Sequence, residues 1–171
     1  MALSYPIFLV GFMGCGKSKL AKRLSSRFNV PHLDLDNIIE DELGTSIRAF
    51  VDSHGEEAFR KVERKLLLES FKDFKGIIAL GGGAPCYQDN MQEILKLGSS
   101  VYLKYPAKTL AQRLAGGKAK RPLIASIPDD ELQGWIEAKL KERASYYEQA
   151  TVTFDFEKDR DAYSFMFAQL A

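Results

Sequence analysis

The feature that most constrains the fold is the segment G-F-M-G-C-G-K-S at residues 11–18, directly after the apolar run I-F-L-V. It matches the pattern G-x-x-x-x-G-K-[ST], in which glycines let successive backbone N–H groups point at phosphate oxygens. Such a loop lies between a buried strand and a helix, and residues 7–10 and 17–28 have the composition of these two elements. The sequence therefore predicts a phosphate-binding loop at the start of an α/β domain.

Two side chains in this loop have predicted roles in holding a nucleotide. We expect Lys17 to reach the β- and γ-phosphates and the Ser18 hydroxyl to ligate Mg²⁺. The chain has no N-K-x-D run of the kind that reads guanine in small GTPases, so ATP is the predicted nucleotide. The predicted ATP contacts in the loop and first helical turn are Gly14, Cys15, Gly16, Lys17, Ser18 and Lys19.

Strand-like and helix-like segments alternate along the chain. Five short runs are predicted to be strands, at residues 7–10, 32–36, 77–80, 101–105 and 151–156. Longer amphipathic segments, at 17–28, 56–71 and 129–147, are predicted to be helices. This alternation is typical of a doubly wound α/β fold with a parallel sheet, in which ligands bind at the carboxyl ends of the strands. A length of 171 residues fits one domain, at 1–171.

Composition argues against several other classes of protein. The 24 basic and 23 acidic residues give a net charge of +1, so the overall charge does not indicate a nucleic acid or an anionic membrane as partner. Two cysteines are too few for a disulfide framework. The N-terminal segment lacks the charged start and cleavage site of a signal peptide, and its apolar run is too short to span a bilayer. We expect a cytoplasmic protein.

Two aspartates are predicted to line the ligand site. In H-L-D-L-D, residues 32–36, strand alternation would place Asp34 and Asp36 on the same side at the carboxyl end of the second strand. One carboxylate could bind a magnesium-bound water, and the other could hold or deprotonate an acceptor hydroxyl. The alternative is that Asp36 caps the helical stretch that follows it, which would explain one aspartate but not both.

Two arginines are candidates for binding an anionic group. Arg60 lies beside the apolar stripe of its predicted helix, and Glu63 could orient it; the alternative is a surface ion pair. Arg143 shares one face of the late helix with Ile136, Leu140 and Tyr147. A guanidinium on that face needs an anionic partner or ligand, unless it extends to the surface.

Two glycine-containing segments complete the set of candidates. The run Gly81-Gly82-Gly83 ends the third predicted strand, where missing side chains would let a ligand approach the backbone. The basic segment G-G-K-A-K-R-P at residues 116–122 contains Arg121 and has the composition of a mobile lid over a triphosphate. A solvated loop would have the same composition.

Together these segments resemble the shikimate kinase family. The resemblance rests on G-F-M-G-C-G-K-S, L-D-L-D, F-R-K-V-E, L-G-G-G, R-P-L-I and E-R-A-S-Y-Y, which occur in the family's order and extend over nearly the whole chain. It implies a three-layer αβα fold of the P-loop kinase type, with five parallel strands in the order 2-3-1-4-5. It also implies transfer of the γ-phosphate of ATP to the 3-hydroxyl of shikimate, with Mg²⁺ as cofactor, giving shikimate 3-phosphate and ADP.

The resemblance also implies a role for each candidate. Asp34 would support the metal through water and Asp36 would act as base, within an acceptor-binding region at about residues 34–63. A lid at about residues 115–127 would bring Arg121 to the phosphates. The catalytic set is then Lys17, Asp36 and Arg121, and the acceptor contacts are Asp36, Arg60, Gly81, Gly82, Gly83 and Arg143. The partners implied are ATP and shikimate, with no nucleic acid or membrane, and the expected state is a monomer.

One segment departs from the family pattern, and two other functions stay open. Residues 156–161, F-E-K-D-R-D, lack the glycine and proline that the family often carries near the adenine, which leaves Arg113 or Arg160 as candidate adenine contacts. One alternative function is a P-loop kinase for another small polyhydroxy acid such as gluconate, or for a nucleotide. The other is a nucleotide-gated binding protein without transfer activity.

Overall fold

The structure is a computed structural model, and it describes residues 5–118, 121–159 and 161–170. A five-stranded parallel sheet forms its centre, with the strands in the order β2-β3-β1-β4-β5. Ile7 in the middle strand pairs in register with Ile77 on one side and with Ser99 on the other. This arrangement confirms the predicted strand order. The strands are β1 (Ile7–Val10), β2 (His32–Asp34), β3 (Ile77–Ala79), β4 (Ser99–Lys104) and β5 (Val152–Asp155).

Ten helices of the described residues surround the sheet, and a short 3-10 helix, Ala84–Cys86, follows β3. The predicted helices at 17–28 and 129–147 have the bounds that were expected, and the one at 56–71 ends a residue earlier. Their bounds are α1 (Lys17–Phe28), α2 (Leu35–Leu43), α3 (Ile47–His54), α4 (Glu56–Ser70), α5 (Asn90–Leu97), α6 (Ala107–Ala115), α7 (Pro122–Ala125), α8 (Asp129–Tyr147), α9 (Phe156–Asp159) and α10 (Ala162–Leu170). Each of these helices is too short or too polar to cross a membrane.

The core consists of two apolar layers, one on each face of the sheet. Alternate residues of β1 point into different layers, with Ile7 in the first layer and Phe8 in the second. Helices α1, α6 and α10 cover the first layer, and α2, α4 and α5 cover the second. Every residue of β1 is fully buried, as expected for a central parallel strand covered on both faces. These layers confirm the three-layer αβα architecture.

Helix α8 contributes to both layers. Ile136 packs into the first layer, and Tyr147, eleven positions later at the end of the helix, packs into the second. Leu140 contacts both layers. The second half of α8 therefore lies across the end of the sheet, close to the segment that follows β3.

The predicted second strand, residues 32–36, was too long. Strand β2 ends at Asp34, and α2 begins at Leu35. The side chain of Asp34 accepts a hydrogen bond of 3.1 Å from the backbone N–H of Asp36, so Asp34 is the N-cap of α2. The cap is therefore Asp34 rather than Asp36, and Asp36 lies in the first helical turn instead of on the strand.

Candidate active site

A cavity of about 780 Å³ lies where the chain leaves the carboxyl ends of β1, β2 and β3. This is the edge where a doubly wound sheet binds its ligands. The cavity collects most of the residues predicted for the nucleotide and several of those predicted for the acceptor. Its lining consists of Met13, Gly14, Gly16, Lys17, Ser18, Lys19, Asp34, Asp36, Leu80, Gly81, Gly82, Arg113 and Arg121.

The loop between β1 and α1 has the backbone geometry of a phosphate cradle. Gly11, Gly14 and Gly16 have φ angles of 141°, 80° and 95°, which side chains disfavour. The buried Lys17 ammonium lies inside the loop and donates to the carbonyl oxygens of Gly11, at 2.8 Å, and Phe12, at 2.9 Å. A concave loop at a helix N-terminus with a lysine inside it is suited to binding a triphosphate.

Cys15 belongs to the same loop but does not line the cavity. Its side chain is 2% exposed, and its Sγ lies 3.6 Å from the Lys17 ammonium. Any contact of this residue with ATP therefore has to come from its backbone.

The side chains of Ser18 and Asp34 lie together at the start of α1. The Ser18 hydroxyl donates to Asp34 Oδ2 at 2.6 Å, while Asp34 Oδ1 accepts the capping hydrogen bond from α2. The cap holds the Asp34 carboxylate in place, beside the loop that would carry the phosphates. Hydroxyl and carboxylate oxygens are the ligands that Mg²⁺ prefers.

Asp36 lies close to Asp34 even though the two are not on one strand. Burial raises the pKa of Asp36, and the charge of Asp34 raises it further, against the opposing effects of Lys17 and Arg60. A Cβ atom added at Gly81 would come within 2.9 Å of Asp36 Oδ1 and 3.4 Å of Glu63 Oε1. The glycine run therefore passes directly over these two carboxyl groups, and a raised pKa makes Asp36 a better proton acceptor.

Arg60 takes part in a partly buried ion pair, which contradicts the alternative of a surface pair. Its Nη1 donates to Glu63 Oε2 at 2.6 Å, and its Nη2 donates to Glu56 Oε1 at 3.2 Å. The Glu63 side chain is only 1% exposed and that of Arg60 is 17% exposed. Burial raises the pKa of Glu63 and the arginine opposes that shift. The short contact to a guanidinium favours the ionised carboxylate, so Glu63 holds Arg60 in place.

Two arginines from different helices flank the glycine run. A Cβ atom at Gly83 would overlap the guanidinium of Arg60, and one at Gly82 would lie 3.4 Å from Arg143 Nη1. The Arg143 guanidinium also lies 5.4 Å from the centre of the Phe12 ring. Neither arginine lines the cavity itself: Arg143 adjoins Gly82, which does, and Arg60 adjoins Gly83, the next residue of the run. Two guanidinium groups beside a bare backbone form a place where a carboxylate can bind.

Arg121 reaches the cavity from the segment predicted to be a lid. Its Nη1 donates to the carbonyl oxygen of Gly117 at 3.1 Å, and Lys118 forms a 2.7 Å ion pair with Asp129. Residues 119 and 120 of the predicted lid lie outside the described residues. The described part of the segment thus brings one guanidinium to the phosphate loop.

Aromatic rings lie next to Arg113, whose guanidinium is 3.4 Å from the carbonyl oxygen of Cys15 in the phosphate loop. The Arg113 guanidinium lies 4.2 Å from the centre of the Tyr105 ring, which is stacked on Phe156 with ring centres 4.8 Å apart. Arg113 also lines the cavity. Arg160, the other candidate adenine contact, lies outside the described residues. A planar cation on a stack of rings can bind the face of a nucleotide base.

Sequence reasoning gave too little weight to two residues of this site. Glu63 was expected only to orient Arg60, yet it also adjoins Gly81, and the charge of Asp36 helps to raise its pKa. Tyr147 was expected only on a helix face, yet its hydroxyl donates to the carbonyl oxygen of Gly82 at 2.6 Å. Both contacts join segments far apart in the sequence, so no local pattern indicates them.

Three features define the class of the P-loop kinases. They are the sheet order, the lysine-containing phosphate loop, and the acidic and guanidinium groups near that loop. Comparison with known proteins narrows this class. A model of the shikimate kinase family matches residues 13–169. The chain belongs to the shikimate kinase family.

Named relatives and solved structures agree with this assignment. Shikimate kinases of Parabacteroides distasonis and Flavobacterium johnsoniae are 39% and 43% identical to this chain; the alignments cover 89% and 84% of this chain and 88% and 85% of the relatives. The shikimate kinase structure from Bacteroides thetaiotaomicron superposes with a TM-score of 0.83 at 35% identity, covering 95% of this chain and 93% of that one.

Two further solved structures differ in how closely they resemble this chain. A shikimate kinase from Acinetobacter baumannii, solved in complex with shikimate, has a TM-score of 0.81 at 29% identity and covers 95% of this chain and 88% of that one. A gluconokinase from Sinorhizobium meliloti has a TM-score of 0.58 at 14% identity, covering 99% and 90%. That second likeness shows a shared fold and nothing more.

Proposed function

We propose that the protein transfers the γ-phosphate of ATP to the 3-hydroxyl of shikimate, giving shikimate 3-phosphate and ADP. The observation that carries the proposal is that Asp36, Arg143 and Arg60 lie in turn against Gly81, Gly82 and Gly83 of the glycine run. This arrangement suits a small acceptor with a carboxylate at one end and hydroxyl groups at the other. The names of the relatives support the same acceptor, as does the shikimate complex of one structural neighbour.

On the nucleotide side, the phosphate loop binds ATP through its backbone and Lys17. On binding, the Lys17 ammonium exchanges the carbonyl oxygens of Gly11 and Phe12 for phosphate oxygens, which carry more negative charge. Arg121 adds a second cation as the γ-phosphate leaves. The stack of Arg113, Tyr105 and Phe156 supports the adenine.

The pair of Ser18 and Asp34 fits a magnesium ion. Its oxygens are hard donors held next to the phosphate loop, with Ser18 as a direct ligand and Asp34 acting through water. When bound, Mg²⁺ neutralises charge on the β- and γ-phosphates. The α2 cap keeps Asp34 from turning away from Ser18.

On the acceptor side, Asp36 accepts the proton of the reacting hydroxyl. The hydroxyl oxygen forms a bond to the γ-phosphorus, the bond from that phosphorus to the oxygen shared with the β-phosphate breaks, and ADP leaves with the electron pair. Arg60 and Arg143 hold the acceptor carboxylate, while Gly81, Gly82 and Gly83 allow the ring to approach the backbone. The reaction needs only positioning and charge stabilisation, so no covalent enzyme intermediate is involved.

We also infer how the chain is organised for this reaction. Residues 1–171 form one catalytic domain, in which residues 34–63 bind the acceptor and residues 115–127 close as a lid that excludes water. The protein acts as a monomer in the cytoplasm. The free thiols of Cys15 and Cys86 support a reducing compartment.

The proposal is tested by ADP release from MgATP in the presence of shikimate, quinate, gluconate or no acceptor. Release that depends on shikimate is the expected result. Release with gluconate instead would mean that the protein is a kinase but that its acceptor is not shikimate. Binding of both ATP and shikimate without ADP release would favour a nucleotide-gated binding protein.

A further inference from the structure

One buried hydroxyl group ties the end of α8, the helix that carries Arg143, to the glycine run. Tyr147 is the last residue of α8 and is fully buried. Its Oη donates to the carbonyl oxygen of Gly82 at 2.6 Å, across 65 positions of sequence. No local turn can provide this contact, because it links the end of α8 to the segment after β3.

The Arg143 guanidinium lies against the same glycine. A Cβ atom added at Gly82 would come within 3.4 Å of Arg143 Nη1. Arg143 lies one helical turn before Tyr147 on the same face of α8, and its charge opposes the rise that burial causes in the pKa of Tyr147. The hydroxyl of Tyr147 and the guanidinium of Arg143 therefore meet at Gly82, and the hydrogen bond to its carbonyl oxygen ties the end of α8 to the glycine run.

Few other groups could replace this contact. The Cys86 thiol lies 3.9 Å from the same Gly82 carbonyl oxygen, a long and weak interaction. The Tyr147 ring is fixed by packing against the Tyr102 ring, with centres 5.0 Å apart. A rigid ring with one fixed hydroxyl sets the position of its two partners more closely than a flexible side chain could.

We infer that Tyr147 is a positioning residue that fixes the Arg143 guanidinium relative to the glycine run and so sets the affinity for the acceptor carboxylate. The inference rests on the proposed function, since it concerns the same acceptor site. Tyr147 itself does not line the cavity, and it acts by holding the end of α8, which carries Arg143, against the Gly82 backbone.

The test is Tyr147→Phe, which removes the hydroxyl and keeps the ring. Tyr102→Phe is the matched control, because it removes a hydroxyl from the other ring of the same packed pair and leaves the hydrogen bond to Gly82 intact. Calorimetry measures the Kd of each protein for shikimate and for its uncharged methyl ester. Steady-state kinetics measures the KM for MgATP, and thermal unfolding checks that each variant is folded.

The expected result for Tyr147→Phe is an increase of about fivefold or more in the Kd for shikimate, the size of one lost hydrogen bond. The Kd for the methyl ester and the KM for MgATP should stay within about twofold of wild type, because neither depends on a carboxylate at Arg143. Tyr102→Phe should match wild type in all three quantities.

Two outcomes would overturn this inference alone. One is a Tyr147→Phe protein with an unchanged Kd for shikimate. The other is a Kd increased equally for shikimate and its ester, which would mean a general loosening of the site. Failure of the wild-type protein to bind or phosphorylate shikimate would overturn the proposed function, and the inference with it.

Discussion

Arg60 is the residue whose predicted role is most open to a direct test. It is held by Glu63 and Glu56 and lies against Gly83, so its side chain reaches the acceptor site in one defined conformation. Arg60→Ala should raise the KM for shikimate by about 10- to 100-fold, the range expected for lost charge-assisted hydrogen bonds. The KM for MgATP should change little, because the phosphate loop does not contact Arg60. Steady-state kinetics with each substrate varied in turn measures both.

Lys61→Ala provides the control for this substitution. Lys61 is the next residue of α4, but its side chain is 70% exposed and its ion pair with Glu57 is at 4.0 Å. Its removal should leave both KM values unchanged. If Arg60→Ala weakened ATP binding and left shikimate binding intact, the assignment of Arg60 to the acceptor would be wrong.

Asp36→Asn should separate binding from catalysis. The amide keeps the size of the side chain but cannot accept the hydroxyl proton as a base, so kcat should fall by about 100-fold or more. The raised pKa of Asp36 predicts that wild-type kcat declines as the pH falls through that pKa, at a higher pH than for an ordinary aspartate. Near-normal turnover of the variant in a kcat assay over pH would contradict the role of Asp36 as base.

The same substitution makes a prediction about stability. Because the pKa of Asp36 is raised in the folded state, the native protein binds this proton more tightly than the unfolded chain does. The stability that results is present below the unfolded pKa and is lost as the pH rises through the folded pKa. At neutral pH the ionised Asp36 therefore costs stability, and Asp36→Asn should unfold at a higher temperature than wild type. A lower unfolding temperature of the folded variant would contradict this reading of the electrostatics.

At the residue scale, the sequence predicted what depends on near neighbours. The roles of Lys17 and Ser18 follow from their spacing in one loop, and the structure places both at the cavity. The burial of Glu63 and the contact between Tyr147 and Gly82 could not be predicted in the same way. Both depend on how α4 and α8 pack across the end of the sheet, which the local sequence does not specify.

The glycine run is the element whose geometry can be tested by adding a single methyl group. Gly83 has φ −88° and ψ −17°, a conformation that any residue adopts, so an alanine there causes no backbone strain. Its Cβ would nevertheless come within 2.9 Å of Arg60 Nη1 and Cζ, and the guanidinium would have to move. Gly83→Ala should therefore raise the KM for shikimate by about tenfold with little change in stability. Kinetics and thermal unfolding of the same preparation measure the two effects.

Gly134→Ala is the control, because it adds the same methyl group at a position where the methyl contacts no other group. Gly134 is exposed in the middle of α8, with nothing within 4 Å of the added Cβ. The variant should keep wild-type kinetics and gain about 0.5–1 kcal/mol of stability, because alanine loses less entropy than glycine in a helix. A Gly83→Ala protein with the same kinetics as Gly134→Ala would mean that Arg60 is not confined beside the run.

At the element scale, the long helices were predictable and the short segment at the site was not. Helices α1 and α8 extend over several turns of helix-compatible sequence, and both have the predicted bounds. In L-D-L-D the alternation extends over too few residues to separate a strand from the first turn of a capped helix. Because Asp34 caps α2, the strand ends there and Asp36 is a helical residue. Asp36 nevertheless lies near Asp34.

At the scale of the whole molecule, alternation of strands and helices predicted a parallel sheet covered on both faces. The order of the strands came from the family resemblance, and the structure confirms it. The net charge of +1 indicated no partner because the relevant charges are local. Lys17, Arg113 and Arg121 line one cavity together with Asp34 and Asp36. Only the fold brings these charges together at the end of the sheet.

The most direct test of the account is to identify the product formed from MgATP and shikimate by the purified protein. Phosphorus–proton correlation NMR of the reaction mixture reports which carbon bears the phosphate. The account predicts a phosphate monoester coupled to the ring proton at carbon 3, formed in equal amount to ADP. Free orthophosphate alone, or an ester at another hydroxyl, would contradict the proposed placement of the acceptor between the arginines and Asp36.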